Sequence, residues 1–138
     1  MNRLSRWAAR GAALFCLAFA GFQIALAAGA PYGQAAWGGS RAVLPQGLRA
    51  ASAGAAIYLL LAAAALLARS GDWGRRLPGT PLRWFNGFLA LQLLLNTAGN
   101  LAAQDAGERG VMAAASAMGA LLCLLAVIPA RPAASGPA

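Results

Sequence analysis

The 138-residue chain is 60% hydrophobic and 10% charged, with eleven basic residues, three acidic ones and no histidine. A soluble domain carries about a quarter of its residues as charges, so the composition excludes an ordinary soluble domain, and its apolar content excludes disorder. A net charge of +8 suggests nucleic acid only where basic residues gather on one face; here they stand in short groups between apolar runs, and no nucleic-acid partner is expected.

The first apolar run covers 11–28, is interrupted by Gln23, and follows Arg3, Arg6 and Arg10. A basic start, an apolar stretch and Ala25-Leu26-Ala27 also fit a cleaved signal peptide. The run is longer than the ~7–15 residues of such a peptide, so a retained span is expected. A glycine- and proline-punctuated loop, 29–46, comes next and holds Tyr32 and Trp37. These rings are either interfacial anchors or part of a binding loop. The second run, 50–68, contains Ser52 and Tyr58, and the connection after it is basic, with Arg69, Arg75, Arg76 and Arg83. That connection suits a loop held against anionic headgroups. The third run, 84–103, is the most polar, and the fourth, 110–130, has Ser116 as its only hydroxyl.

Each run approaches the ~20 residues that cross ~30 Å of hydrocarbon, and none contains a charge. Backbone groups in lipid must be paired within their own segment, which dictates α-helix. The expected fold is therefore an all-α membrane protein, a four-transmembrane-helix bundle forming one domain over residues 1–138. Eight arginines (Arg3, Arg6, Arg10, Arg69, Arg75, Arg76, Arg83, Arg131) fall on one side and three (Arg41, Arg49, Arg109) on the other. Excess basic charge stays in the cytoplasm, so both termini and the central connection are expected inside.

The third run carries the most informative pattern: Gln92, Asn96, Asn100 and Gln104 recur every four residues, with Thr97 beside them. Each step drifts only ~40° around a helix, which keeps all four on one broad face. Counting ~1.5 Å per residue from Trp84 puts Gln92, Asn96 and Asn100 at depths of ~12, ~18 and ~24 Å. Gln23, Tyr58 and Ser116 fall at compatible levels, so the candidate polar pocket is Gln23, Tyr58, Gln92, Asn96, Thr97 and Asn100, in the outer half. Such amides either hydrogen-bond across helices as packing glue or line a site for a neutral ligand. Tyr58 is the one ionisable group among them, which argues against proton or ion coupling.

Between the third and fourth runs, Asp105 and Glu108 stand three apart, as in a capping box, where the helix dipole favours anions; Arg109 is a partner for either. The fourth run offers small-xxx-small spacings, Ala115 with Gly119 and Ser116 with Ala120. Cys16 and Cys123 lie at similar depth near the inner side and read as small packing residues. No ligand cluster for a metal or haem, and no thiol–disulfide motif, is present in the sequence, so no cofactor is expected.

The segments 29–39, GAPYG…WGG, and 96–109, NTAGNLAAQDAGER, resemble a group of small, uncharacterised four-helix integral membrane proteins of bacteria. In that group the loop reads Gly-Ala-Pro-Trp-Gly, where this chain has Tyr32. Its third span is Asn-rich and leads to Glu-Arg, matching Asn96, Asn100, Glu108 and Arg109, and it has a serine-containing turn where this chain has Ala103 and Asp105. The resemblance implies a four-helix fold in the bacterial inner membrane and carries over no catalytic residue. The function expected is non-enzymatic: a structural or regulatory partner of other membrane components in the lipid bilayer, with a membrane-protein partner or a second copy of itself. The alternative is a small transporter or a binder of a lipid or neutral ligand, using the outer polar pocket.

Overall fold

A computed structural model of the chain describes residues 3–37, 41–71, 79–103, 106 and 108–127, and of Glu108 only the backbone. They form four helices: α1 (Arg3–Ala28), α2 (Gln46–Ser70), α3 (Gly79–Ala102) and α4 (Ala113–Val127), the last entered through a π turn at Glu108–Met112. No strand occurs among the described residues. Helix α1 starts well before the expected 11–28 run, because Ser5, Ala8 and Ala9 already lie on its buried face. Helices α2 and α3 also begin ahead of their apolar runs, for arginine side chains are compatible with a helix even where they are not compatible with hydrocarbon.

The bundle closes as a ring in chain order. The α1–α2 seam is the most extensive, α3–α4 and α1–α4 follow, and α2–α3 is the thinnest. Helices α1, α2 and the segment Arg109–Val127 are long and apolar enough to cross a membrane. Helix α3 falls outside that set, although a fourth span was expected there. The reason is local: Asn86, Gln92, Asn96 and Asn100 depress the hydropathy of a helix whose outward side still carries Phe88, Leu91, Leu94 and Leu95 exposed.

Local chemistry sets the turns. Helix α1 ends in a Schellman motif: Ala30 N–H donates to Ala25 O (2.9 Å) and Gly29 N–H to Leu26 O (3.0 Å), with Gly29 at φ +96°. Glycine takes that left-handed position without a Cβ clash, and Pro31 follows where no helix can continue. Helix α2 stops at Gly71 in the same conformation, φ +87°.

The two halves of the bundle differ. In the half containing the start of α1 and the end of α4, the core is built from Ala8, Ala9, Ala12 and Ala13 of α1, Ala62, Ala63 and Leu66 of α2, Ala90 of α3, and Ala120, Cys123 and Ala126 of α4. Such small side chains let helix backbones approach closely, which is what packing between apolar helices requires in a lipid environment. Cys16 and Cys123 are both fully buried in this cluster with free thiols. Outside it the surface is greasy, with Leu14, Leu17, Leu61, Leu121 and Leu124 exposed.

Three arginines have a structural role beyond their sidedness. Arg49 Nε donates to Ala27 O at 2.8 Å, Arg69 Nε to Ala126 O at 3.0 Å, and Arg109 Nε to Ala103 O at 3.1 Å. Each cation meets a carbonyl at the C-terminal end of another helix, where acceptors lack intrahelical partners and the dipole favours positive charge. Arg49→Met retains the aliphatic stem and removes the donor. It should lower stability by about 1.5 kcal/mol, the worth of a hydrogen bond to a charged group, read as a lower unfolding midpoint in detergent. Of the expected cap at the head of the fourth run, Arg109 is thus placed on Ala103. Asp105 and the Glu108 side chain lie outside the described residues, as does Gln104.

Candidate functional site

In the opposite half of the bundle, toward the 29–45 loop, the helices enclose a cavity of about 420 Å³. Its size falls within the ~300–1,000 Å³ typical of small-molecule sites. Helix α1 forms an aromatic wall. Phe15 and Phe19 have centroids 4.5 Å apart at 30°, and Phe22 sits edge-on to Phe19 at 6.4 Å. These residues lie three or four apart, so one side of the helix presents all of them. Gln23 follows on the same wall, and Ala55, Tyr58 and Leu59 of α2 stand beside it.

Helix α3 supplies the polar wall: Gln92, Asn96 and Asn100, with Leu89 and Leu93 between them, joined by Met112 and Ser116 from the α4 side. The periodic stripe and the cavity therefore coincide at Gln92, Asn96 and Asn100, and Gln23 and Tyr58 reach the same space. Thr97 does not line it. Its hydroxyl lies 2.8 Å from Leu93 O and 3.0 Å from Ser116 Oγ, while Asn100 Nδ2 donates to Ser116 Oγ at 3.4 Å. Ser116 in turn donates to Met112 O at 2.8 Å. This small network joins α3 to α4.

The remaining amides behave differently. Gln23 Oε1, Tyr58 Oη and Gln92 Oε1 are buried with no hydrogen-bond partner. An unmet buried acceptor costs about 1–3 kcal/mol, so three around one cavity need a reason. Five of the six candidate residues thus fall into two groups, Thr97 and Asn100 in an interhelical network and Gln23, Tyr58 and Gln92 with unmet polar atoms. Asn96 is exposed at the edge.

A loop residue borders the cavity at the loop end. Trp37 lines it together with Ala35 and Ala36, and its indole Nε1 donates to the buried Ser52 Oγ at 3.0 Å. Trp37 sits at φ +53°, a left-handed conformation that is unusual for a bulky side chain. The loop beneath it is fixed by Gly33, whose N–H donates to Ala42 O at 2.8 Å. Tyr32, its neighbour in the loop, is exposed and does not line the cavity.

Sequence reasoning did not identify the phenylalanine wall, because aromatic residues in an apolar run look no different from lipid-facing ones. It also passed over Asn86. That residue is fully buried, with both amide atoms unpartnered, but it precedes Gln92 by six positions and so falls outside the four-residue register. Among the described residues, no charged side chain lines the cavity and no cluster of histidine, cysteine or carboxylate residues could hold a metal. Compared with known proteins, the chain matches no family model, no curated protein and no solved structure.

Proposed function

We propose that the protein is a multi-pass membrane protein of four spans that binds a neutral, partly aromatic molecule in the cavity between its helices, without catalysing a reaction. The observation that carries this reading is the set of unpartnered acceptors, Gln23 Oε1, Tyr58 Oη and Gln92 Oε1, placed around one cavity with an aromatic wall. A bundle needing only glue would have paired these atoms across the seam, as Thr97 and Asn100 are paired with Ser116. Helix α3 belongs to the spans on this reading because its amides gather on the cavity side while leucines and Phe88 face outward, so lipid meets an apolar surface. Retention of α1 is supported by the eight of its residues that are buried in the bundle. The arginine asymmetry supports both termini inside, and the resemblance of the loop and third-span segments supports a bacterial inner membrane.

The second reading, a structural or regulatory partner of other membrane components, draws on the Thr97–Ser116–Asn100 network. Those bonds need no ligand.

One cysteine experiment separates the readings. In a Cys16→Ala, Cys123→Ala background, Ser40→Cys should react with a membrane-impermeant maleimide in intact cells, and Ser135→Cys only after permeabilisation. Asn96→Cys should react with small, uncharged N-ethylmaleimide, because the cavity edge is open there. Labelling of Ser135→Cys in intact cells would overturn the topology. An inert Asn96→Cys would mean a closed seam and return the protein to the purely structural reading.

A further inference from the structure

The geometry points to a ligand that arrives from the bilayer: an uncharged, ring-headed lipid of the isoprenoid quinol type, entering sideways between α2 and α3. This rests on the cavity being a ligand site and adds the route and the chemical class.

The route follows from one stripe of α3. Phe85, Gln92 and Asn96 are seven and four residues apart, so they share a side of the helix. Phe85 packs on Tyr58 of α2, with ring centroids 6.2 Å apart, which means that this side faces α2. Beyond the contact toward the loop end, Gln92 is only partly covered and Asn96 is exposed, although both look toward α2. The two helices therefore diverge past the Tyr58–Phe85 contact, along the thinnest seam of the bundle. Toward the loop end a side chain stands across the cavity. Trp37 and Ala36 separate the main cavity from a smaller one that holds Arg41 and Leu44, and Ser52 pins the indole. With the helices in a membrane, the lateral gap opens onto hydrocarbon.

The class follows from what lines the space. A phosphate or ammonium would lose its hydration there and meet no charged side chain among the described residues, a cost that excludes an ionic headgroup. Phe15, Phe19 and Phe22 offer an aromatic wall, tilted and edge-on to one another, against which a ring can pack. The two unpartnered amide oxygens accept from the hydroxyls of a quinol, and the Tyr58 hydroxyl accepts or donates; an amide rotated by 180° presents its NH2 instead and, with the Tyr58 O–H, meets the ketone oxygens of the oxidised ring. An aliphatic tail leaves through the gap beside Phe88, which is 59% exposed.

The test uses the full chain with Trp37 as its only tryptophan (Trp7→Phe, Trp73→Phe, Trp84→Phe), in nanodiscs of phosphatidylcholine. Decyl-benzoquinone should quench Trp37 saturably. Gln92→Leu should weaken this at least tenfold, with Tyr58→Phe as a milder second variant that keeps the ring. Added phosphatidylglycerol should not compete. If benzoquinone without a tail saturates the site at the same concentration, the lipid nature and lateral entry are overturned while the cavity reading stands. If phosphatidylglycerol displaces the quinone, the uncharged class is overturned. If neither ring quenches saturably while Asn96→Cys still reacts with N-ethylmaleimide, the ligand class fails and the cavity survives. An inert Asn96→Cys together with absent quenching removes both.

Discussion

Gly33→Ala should destabilise the protein by about 1–3 kcal/mol, the usual cost of forcing an extra carbon into a packed site. A Cβ at this position would lie 2.5 Å from Arg41 O, 2.9 Å from Ala42 O and 2.8 Å from Leu44 Cδ2. Two of those neighbours are backbone carbonyls, which cannot rotate away as a side chain could. Relief requires moving the strand of loop that Gly33 N–H holds through Ala42 O. Because Trp37 follows four residues later, the disturbance should also loosen its bond to Ser52 and open the cavity toward the loop end. The readouts are the unfolding midpoint in detergent and a red shift of Trp37 emission in the single-tryptophan chain. Gly54→Ala is the control. Its Cβ would meet open space, and alanine's better helix propensity should add up to about 1 kcal/mol. If Gly33→Ala is as well tolerated as Gly54→Ala, the close approach of Gly33 to Arg41 and Ala42 does not hold the loop beneath Trp37.

The closeness at Gly119 is of another kind. A Cβ there would come within 2.5 Å of Phe15 Cε1, a ring edge bordering a void. The ring can swing into the cavity, so that site trades ligand space for packing and leaves the fold standing.

What the sequence made legible follows from what each signal measures. Absence of charge over long runs reports the environment of a helix, so four helices were readable although their ends were not: arginines precede the run of α1 and flank the run of α2, and the helices extend over them. The four-residue recurrence of Gln92, Asn96 and Asn100 reports a common side, and those side chains do share one cavity. Periodicity cannot say whether an amide on that side finds a partner. Asn100 reaches Ser116 across the α3–α4 seam, whereas Gln92 faces the widening α2–α3 gap and reaches nothing. That difference depends on how two helices diverge, which no single helix encodes. The same limit applies to Arg49, Arg69 and Arg109. Their charge was read as a label of sidedness, while their bonds to carbonyls at Ala27, Ala126 and Ala103 arise only when the helix ends are brought side by side.

The distinction between paired and unpaired polar groups leads to the largest stability change expected. The triple variant Gln23→Leu, Tyr58→Phe, Gln92→Leu removes the three unpartnered buried polar atoms on residues that line the cavity and leaves Asn86 in place. It should make the ligand-free protein more stable by roughly 2–4 kcal/mol, summing the cost of each unmet group and allowing for coupling among neighbours. Removing one side of the paired network, as in Ser116→Ala, should instead lower stability by about 1 kcal/mol, since it leaves Thr97 and Asn100 with less to bond. Opposite signs from polar-to-apolar changes on facing walls of one cavity are hard to obtain from packing alone. They are expected if selection has retained polar atoms at a cost to the fold because something else bonds to them. The measurement is the unfolding midpoint of purified variants in one detergent, with decyl-benzoquinone added and omitted. The added ring should stabilise the parent chain and leave the triple variant unmoved. A triple variant of unchanged stability would mean that water already satisfies these acceptors. A less stable one would mean that they hold the helices together, and the cavity would then be only a packing gap.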